Sequence, residues 1–250
     1  MKKIAIITGA SSGMGKEMVT QINNILPMID EIWLIARRAD RLQETKKESI
    51  IPCVTINGDI TTEEFYDDFS KRLDNMDGQV KLLVNAAGFG KIGNVIDINC
   101  SDNTGMIDLN CRALTKITQL VIPYMAKRSR IINFASSAAF LPQPRFAVYS
   151  ATKSYVLSFS RALGRELKDR QIYVTAVCPG PVRTEFFHIA ESGQEKVWYK
   201  ELFMADCDMV AMKALDDSIN RKPVSIYGLP MKMLRIAGSV IPDSLLLKFF

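Results

Sequence analysis

Seven short apolar runs, separated by segments of helical length, constrain the fold of this chain more than any other feature. The runs are rich in Ile and Val, and they stay apolar instead of alternating with polar residues. Such runs are typical of strands that are buried on both faces of a sheet. The predicted strands are Lys3–Thr8, Glu31–Ala36, Cys53–Asn57, Lys81–Asn85, Arg130–Ala135, Ile172–Cys178 and Val224–Tyr227.

The segments between these runs have the length of helices, and the clearest are Gly13–Ile25, Thr62–Leu73, Thr104–Lys127 and Tyr149–Lys168. Repeated alternation of strand and helix predicts βαβ units with right-handed crossovers. The sequence contains no internal repeat and no linker that would mark a boundary. We therefore predict a single doubly wound α/β domain over residues 1–250, with a seven-stranded, mostly parallel sheet and helices on both faces.

The net charge and the single histidine limit the reactions that this chain could catalyse. His188 is the single histidine, which excludes a metal centre with several histidine ligands and any mechanism that needs two imidazoles. Acid–base catalysis would therefore depend on Tyr, Lys, Asp, Glu or Cys. The net charge of +5 is mild and spread out, so it suits an anionic ligand and does not require a nucleic acid.

The cysteines and the apolar segments bear on the compartment. Five cysteines without a C-x-x-C pair predict reduced thiols in a cytoplasmic protein, with neither a disulfide framework nor a metal site. The apolar run near the start ends at Thr8 and is too short for a signal peptide. No uncharged apolar stretch reaches about 18 residues, so we expect no membrane-spanning helix.

A glycine-rich turn follows the first predicted strand and opens the first predicted helix. Glycines allow the backbone to turn sharply and to approach a pyrophosphate, and a helix N-terminus adds free N–H groups. Its position after the first strand favours a phosphate-binding loop over a plain tight turn. The residues expected to contact a dinucleotide here are Gly9, Ser11, Ser12, Gly13, Met14 and Gly15.

The same turn also matches the G-x-S-x-G nucleophile elbow of α/β-hydrolases, with Ser11 as the nucleophile. His188 follows it in the chain order that such a hydrolase requires. That elbow normally lies on a central strand well into the chain, whereas Ser11 follows the first strand. A hydrolase is therefore the weaker alternative.

Two arginines follow the second predicted strand, where an acidic residue would bind the ribose 2′-hydroxyl of NAD. A guanidinium of Arg37 or Arg38 would instead pair with a 2′-phosphate, which favours NADP. A solvent-exposed helix flank is the alternative for both. Asp59, at the end of the third strand, could accept a hydrogen bond from an adenine amino group or cap the next helix.

Small residues follow the fourth predicted strand. The residues Asn85, Ala86, Ala87 and Gly88 leave space for a flat ligand against the backbone. A plain turn of small residues explains the same composition equally well.

A tyrosine and a lysine with helical spacing form the strongest candidate for chemistry. Tyr149 and Lys153 are four residues apart, so both side chains project from one helix face. An ammonium near a phenol favours the phenolate, so we expect Lys153 to lower the pKa of Tyr149 toward neutrality. Ser136 and Ser137 end the fifth strand, from which a hydroxyl could face the same pocket. The combination with the other strand-end motifs is a strong signal, since ligands of open α/β sheets bind there.

Together these motifs resemble those of the short-chain dehydrogenase/reductase family, over residues 3 to about 228. The matching positions are Thr8–Gly15, Asp59, Asn85–Gly88, Asn110, Ser136, Tyr149–Lys153 and Pro179–Thr184. The resemblance implies a Rossmann-type domain that binds NADP, with NAD as the alternative. It also implies a homodimer or homotetramer assembled through the helices at 104–127 and 149–168.

The resemblance implies a role for each catalytic position. Tyr149 would be the general acid or base, and Lys153 would hydrogen-bond the nicotinamide ribose. Ser136, which has the family's spacing before the tyrosine, would orient the substrate oxygen, with Ser137 as the alternative. Asn110 would bind a main-chain carbonyl and a water in a proton relay.

The resemblance also assigns the cofactor contacts. Arg37 stands where NADP-preferring members carry a basic residue, whereas Ser12 and Met14 are neutral where some of them carry a second one. Asp59 and Ile60 would contact the adenine. The residues expected at the nicotinamide end are Pro179, Gly180, Val182 and Thr184, together with Tyr149 and Lys153.

Two segments depart from the repeating pattern. Residues 186–217 fall where the family has its mobile substrate loop, and residues 229–250 form an apolar C-terminal extension. The extension could cover the substrate pocket, pack on a second subunit or lie on a membrane surface. Apolar residues that could line a pocket in the loop are Phe186, Phe187, Trp198, Tyr199, Phe203 and Met204.

We therefore expect an oxidoreductase that transfers a hydride between NADP(H) and a carbonyl or alcohol substrate. The apolar loop and tail suggest that this substrate is hydrophobic. The alternative is a non-catalytic dinucleotide-binding regulatory protein of the same fold. The presence of Ser136, Tyr149 and Lys153 disfavours that alternative, because a retired active site usually loses one of its catalytic groups.

Overall fold

The computed structural model describes residues 1–190 and 204–242, together with Leu245 and Leu247. In this part of the chain, seven parallel strands form one sheet in the order β3-β2-β1-β4-β5-β6-β7. The predicted doubly wound α/β fold is confirmed. The strands are β1 (Lys2–Thr8), β2 (Glu31–Ala36), β3 (Cys53–Asn57), β4 (Gly78–Asn85), β5 (Met125–Phe134), β6 (Tyr173–Val177) and β7 (Val224–Ser225).

Helices connect these strands and cover both faces of the sheet. A π-helical turn over Asp108–Ala113 joins α4 to α5, and a 3₁₀ turn over Ser137–Phe140 follows β5. The described helices are α1 (Gly13–Ile25), α2 (Ala39–Glu48), α3 (Glu63–Asp74), α4 (Cys100–Ile107), α5 (Leu114–Val121), α6 (Ala147–Glu166), α7 (Glu185–Ala190), α8 (Cys207–Ile219) and α9 (Leu229–Val240).

The core consists of two apolar layers, one on each face of the sheet. In β1, Ile4 and Ile6 belong to one layer, whereas Ala5 and Ile7 belong to the other. Successive side chains of a strand point to opposite faces, so a strand that is apolar throughout needs cover on both sides. One layer includes Phe69, Ile117 and Leu163 from α3, α5 and α6, and the other includes Met18, Leu42 and Leu215 from α1, α2 and α8.

The strand order reverses between β1 and β4. The chain proceeds from β1 outward to β2 and β3, and then returns to add β4 on the other side of β1. Two crossovers therefore leave in opposite directions and open a crevice at the carboxyl ends of these strands, where open α/β sheets bind ligands. The turns after Thr8 and Asn85, which pair across these strands, lie at this crevice.

The helix predicted over Thr104–Lys127 is too long. A 3₁₀ turn over Ile122–Tyr124 ends the helical region, and β5 begins at Met125, which pairs with Val80 of β4. Pro123 in this turn has no N–H group, so it cannot continue the helical hydrogen-bond pattern. The strand predicted from Arg130 accordingly begins five residues earlier, at Met125.

The segment expected as a substrate loop, 186–217, contains regular structure at both ends. It begins within α7, and α8 begins at Cys207. Val210, Ala211 and Leu215 of α8 are buried, the last two in the core layer that α1 also contributes to. The candidate pocket residues Trp198, Tyr199 and Phe203 lie outside the described residues. Among the described residues, no helix is long and apolar enough to cross a membrane.

Candidate active site

A cavity of about 1350 Å³ runs along the carboxyl edge of the sheet, from Arg37 and Arg38 at one end to α9 at the other. Gly15, Asn85 and Asn110 are the predicted site residues that do not line it. The predicted residues that line it are Gly9, Ser11, Ser12, Gly13, Met14, Arg37, Arg38, Asp59, Ile60, Ala86, Ala87, Gly88, Ser136, Tyr149, Lys153, Pro179, Gly180, Val182 and Thr184.

The glycine-rich turn lies directly against the turn after β4. Gly9 has a φ of +72°, and a Cβ atom there would lie 2.7 Å from the backbone nitrogen of Ala87. Gly13 has a φ of +51° and begins α1 at the cavity wall. Gly15 packs against the Gly9 carbonyl, with which a Cβ atom would collide. The turn is therefore a backbone cradle that side chains would fill.

Arg38 lies over this cradle. Its Nη2 donates a hydrogen bond of 2.7 Å to the Ser12 hydroxyl, and its guanidinium forms an ion pair of 3.1 Å with Glu185 on α7. Glu185 is a contact that sequence reasoning missed. The guanidinium of Arg38 therefore lies at the end of the cavity next to α1, paired with a carboxylate of the protein.

Asp59 lies at the cavity wall before α3, but the residue that caps this helix is Thr62, whose hydroxyl accepts from the Phe65 N–H. Asp59 accepts hydrogen bonds of 2.9 and 2.7 Å from the backbone N–H and the hydroxyl of Thr61. Partial burial alone would raise the pKa of Asp59, but these hydrogen bonds and the positive charge of Arg37 hold it below its usual value. Its carboxylate is therefore ionised at neutral pH.

The Asn85 side chain points into the protein instead of into the cavity. It is buried, and its Nδ2 donates hydrogen bonds of 2.9 Å to Thr118 and to Asn133. Its Oδ1 accepts no hydrogen bond from the described residues. Asn133 pairs with Asn85 across β4 and β5, and this pairing turns both side chains to the same face of the sheet. The Asn85 side chain is therefore directed away from the space where the flat ligand is expected, and its role as a cofactor contact stays a prediction.

Tyr149 and Lys153 lie on one face of α6, as their spacing predicts. Both side chains are buried and line the cavity. The Lys153 Nζ is 5.6 Å from the centroid of the Tyr149 ring, and it donates a hydrogen bond of 2.7 Å to the carbonyl of Phe134 at the end of β5. The lysine is thereby held between α6 and the sheet.

Burial determines the titration of both groups. It raises the pKa of Tyr149, and a hydrogen bond with Ser136 opposes this shift only in part. It also lowers the pKa of Lys153 to about 8. The expectation that Lys153 lowers the pKa of Tyr149 is therefore wrong for this arrangement, because burial of the phenol dominates. In the folded chain the phenol is protonated at neutral pH.

Ser136, and not Ser137, is the serine that contacts the tyrosine. Its hydroxyl hydrogen-bonds the Tyr149 side chain and accepts a bond of 3.1 Å from the N–H of Ala138. Ser137 also lines the cavity, and its N–H donates to the carbonyl of Pro179 at 2.8 Å. The hydroxyl of Ser136 is thus fixed beside the candidate acid.

Asn110 supports the site from behind the cavity wall. It lies buried in the π-helical turn, an irregularity that is frequent at functional sites. Its Nδ2 donates to the carbonyl of Phe89 at 2.9 Å, and its Oδ1 accepts from the Phe89 N–H at 3.1 Å. A Cβ atom on Gly88 would lie 2.9 Å from the Asn110 Oδ1 and 3.4 Å from the Lys153 Nζ, so both side chains converge on Gly88.

A family model described as short chain dehydrogenase matches residues 3–195. The chain belongs to the short-chain dehydrogenase family. An uncharacterised oxidoreductase of Staphylococcus epidermidis is 31% identical over 78% of this chain and 84% of its own length. A very-long-chain 3-oxoacyl-CoA reductase of Rattus norvegicus is 32% identical over 77% of this chain and 63% of its own length.

Solved structures of short-chain dehydrogenases have the same fold. One from Sphingobium yanoikuyae, in complex with NADPH, superimposes with a TM-score of 0.76 at 25% identity and covers 100% of this chain and 96% of its own. Another, from Burkholderia phymatum in complex with NAD, has a TM-score of 0.81 at 19% identity and covers 98% of this chain and 95% of its own.

Aromatic and aliphatic side chains surround Tyr149 at one end of this short-chain dehydrogenase cavity, whose lining also includes Gln143 and Arg145. The Phe146 ring stacks on the Tyr149 ring with centroids 4.2 Å apart, and the Phe186 ring lies 5.4 Å away on α7. Of these, sequence reasoning named only Phe186 as a pocket residue. The other apolar residues that line this end are Phe89, Ile92, Leu141, Met231 and Leu234.

The C-terminal helix α9 covers this end of the cavity. Met231 and Leu234 line the cavity from α9, so cover of the pocket agrees with the described part of the extension. Leu229, Ile236 and Val240 on the same helix are exposed. Contact of this outer face with a second subunit or a membrane stays a prediction.

The hydrolase alternative has no support in this geometry. Ser11 lies at the end of the cavity next to α1, where Arg38 Nη2 donates a hydrogen bond of 3.4 Å to its hydroxyl. His188 belongs to α7, and its side chain lies outside the described atoms. The family model that matches residues 3–195 is that of a short chain dehydrogenase, and this match includes the glycine-rich turn.

Proposed function

We propose that this short-chain dehydrogenase reduces the carbonyl group of a hydrophobic substrate with NADPH, and that Tyr149 donates the proton. The observation that carries the proposal is the buried pair of Tyr149 and Lys153, with the half-buried Ser136 bonded to the phenol, in one cavity with the glycine-rich turn and two arginines. A phenol, its hydroxyl partner and a lysine supply proton transfer without an imidazole.

The residues present fit a nicotinamide dinucleotide. The cavity is elongated, and Gly9 and Gly13 leave a backbone cradle at the N-terminus of α1, where a diphosphate is stabilised by N–H groups and the helix dipole. Asp59 and Ile60 would hold the adenine, Lys153 the nicotinamide ribose, and residues 179–184 the nicotinamide. When bound, NADPH would supply the hydride.

The preference for NADP rests on the arginines. Arg37 and Arg38 line the cavity directly after β2, where a guanidinium pairs with a 2′-phosphate. The related structures contain NADPH in one case and NAD in the other, so they support a nicotinamide dinucleotide without distinguishing the two.

In the direction of reduction, Tyr149 would act as the proton donor. Its phenol is protonated at neutral pH, since burial raises the pKa of Tyr149, so it holds a proton for a substrate oxygen. Ser136 would hold that oxygen beside the phenol. Lys153, with a pKa lowered to about 8, is still mostly protonated at neutral pH, so it can donate a hydrogen bond to the nicotinamide ribose.

The lining around the phenol favours an apolar substrate. Phe89, Leu141, Phe146 and Met231 offer no charge to a ligand at this end of the cavity. By its name, the relative from Rattus norvegicus acts on very-long-chain 3-oxoacyl-CoA. Such a substrate carries a keto group on a long alkyl chain, which suits an apolar lining. We therefore propose a ketone that is attached to a hydrophobic body.

Fluorescence titration with NADPH and NADH tests the cofactor preference. We expect tighter binding of NADPH, and we expect Arg37→Gln and Arg38→Gln to weaken NADPH while leaving NADH nearly unchanged. Arg41→Gln is the matched control, because Arg41 is an exposed arginine of α2 that pairs with Glu44 and does not line the cavity. A preference of the wild-type protein for NADH would contradict the proposal.

Turnover of hydrophobic ketones with NADPH tests the reaction. A panel of keto compounds that differ in chain length should give activity that increases with the apolar size of the substrate. Tight binding of NADPH without turnover across ketones and alcohols would instead favour the non-catalytic regulatory alternative.

A further inference from the structure

The arginine that we assign to the 2′-phosphate already pairs with an anion of the protein. Both Nη1 and Nη2 of Arg38 lie 3.1 Å from Oε2 of Glu185. Glu185 is the first residue of α7 and lies 147 positions further along the chain. The fold therefore brings this carboxylate to the nucleotide end of the cavity, which both residues line.

The Glu185 carboxylate uses the donors that a phosphate would use. It hydrogen-bonds the Ser12 side chain as well as Arg38, and Ser12 belongs to the glycine-rich turn. The hydrogen bond from Arg38 holds the pKa of Glu185 below its usual value, so the carboxylate is an anion at neutral pH. Carboxylates and phosphates are both bound by guanidinium groups through charge-assisted hydrogen bonds.

We propose that Glu185 competes with the 2′-phosphate of NADP for Arg38, and so sets how strongly the protein prefers NADP over NAD. This inference rests on the proposed function. A 2′-phosphate that accepts from Nη1 and Nη2 of Arg38 takes the place of the Glu185 oxygen that lies 3.1 Å from both nitrogens. A ribose with a free 2′-hydroxyl carries no such anion and has no need to displace Glu185.

The position of Glu185 also connects the two ends of the cavity. The next residue, Phe186, has its ring 5.4 Å from that of Tyr149, and Gly90 lies close to both rings. Two consecutive residues of α7 therefore contact Arg38 and the Tyr149 ring, respectively.

The opposite role of Glu185 makes an opposite prediction. A carboxylate near the ribose could accept a hydrogen bond from the 2′-hydroxyl and so favour NAD. Loss of the Glu185 charge would then weaken NAD, whereas under competition it strengthens NADP. The sign of the effect separates the two roles.

Calorimetric titration with two nucleotide fragments tests the competition. Adenosine 2′,5′-bisphosphate carries the 2′-phosphate, and adenosine 5′-monophosphate lacks it. We expect Glu185→Gln to tighten the bisphosphate about two- to fivefold, the size of an exposed ion pair, and to leave the monophosphate unchanged. Glu44→Gln is the matched control, since it removes an exposed carboxylate that pairs with Arg41.

The outcomes distinguish this inference from the proposed function. An unchanged or weakened bisphosphate affinity in Glu185→Gln, or an equal gain for both fragments, overturns the competition. If Arg38→Gln weakens the bisphosphate while Glu185→Gln does nothing, the 2′-phosphate site stands and only the competition is wrong. If neither arginine variant changes the bisphosphate affinity, the proposed 2′-phosphate site is wrong as well. In an Arg38→Gln background, Glu185→Gln should lose its effect.

Discussion

The two ends of the cavity expose their charged groups to water to very different extents. At the catalytic end, Tyr149 and Lys153 are each 6% exposed, and burial shifts the pKa of both away from their usual values. At the nucleotide end, the side chains of Arg38 and Glu185 are 44% and 45% exposed. Exposed pairs are screened by solvent and salt and contribute little each, whereas burial changes protonation strongly.

We therefore expect the buried and the exposed groups of the cavity to have different roles. Under the proposed function, chemistry would depend on a few buried groups, so loss of one of them should have a large effect. Selection between NADP and NAD would depend on exposed charges that water weakens, so each of these should have a small effect.

The largest effect should follow loss of the Tyr149 hydroxyl. Tyr149→Phe keeps the ring between Phe146 and Phe186, and we expect kcat to fall by about 10²- to 10⁴-fold, the typical contribution of a general acid. The Kd for NADPH should stay nearly the same. Tyr155→Phe on the same helix is the control, because Tyr155 is exposed and bonds Thr115. Substantial turnover by Tyr149→Phe would contradict the proposed role of Tyr149 as the proton donor.

A pH dependence of stability should follow from the burial of Lys153. Its pKa is lowered from 10.5 to about 8 in the folded chain, so between these values the unfolded chain holds more protons and stability rises with pH. Relative to Lys153→Met, the wild-type free energy of unfolding should gain up to roughly 3 kcal/mol over this range. Urea denaturation at several pH values measures the difference, and a flat or falling difference would show that Lys153 is not held in a desolvated site.

Substitution of a glycine in the glycine-rich turn should have a smaller effect. It can separate the cost of backbone strain from that of the close approach between this turn and the turn after β4. Gly9→Ala places a side chain at a φ of +72° and 2.7 Å from the Ala87 nitrogen. Gly228→Ala is the matched control, because its φ is +81° but the nearest heavy atom is 3.7 Å away. Both should lose about 1–3 kcal/mol of stability.

Only Gly9→Ala should also weaken nucleotide binding, by tenfold or more, because the cradle moves away from the turn after β4. Thermal unfolding and NADPH titration of the two variants test this difference. Equal nucleotide affinities in the two variants would mean that the close approach has no part in binding.

The smallest effect concerns salt. The preference for NADPH over NADH should decrease about two- to fivefold between low and high ionic strength, because the arginines that provide it are exposed. The effect of Lys153→Met on stability should change little under the same conditions, since that charge is buried. A preference that does not depend on salt would place the discriminating contact in a buried site.

Residues that act within one element were predictable from the sequence. The Tyr149–Lys153 spacing and the turn at Gly9 depend on local geometry, which periodicity and glycine positions specify. The apolar runs likewise predict strands that are covered on both faces. The helix α8 was missed although its buried Val210, Ala211 and Leu215 have helical spacing, because the polar residues around them obscured the pattern.

Features that arise from tertiary contacts were not predictable. The Arg38–Glu185 pair joins residues that are 147 positions apart, and no local pattern marks either as the partner of the other. The direction of the Tyr149 pKa shift depends on burial beneath Phe146 and Phe186, which only the packed structure shows. The inward turn of Asn85 depends on its pairing with Asn133.

The side-chain amides of Asn85 and Asn133 affect how β4 and β5 align with each other. They lie opposite each other on β4 and β5, and Asn133 also donates to Ser160 of α6. If one strand slipped by one residue, its amide would point to the other face of the sheet and would lose its hydrogen bonds. The amides therefore favour a single register of β4 and β5. The chain continues from these amides into Ala86–Gly88 and toward Ser136. The register of β4 and β5, which the buried amides specify, therefore also determines the spacing of the candidate catalytic groups at the cavity.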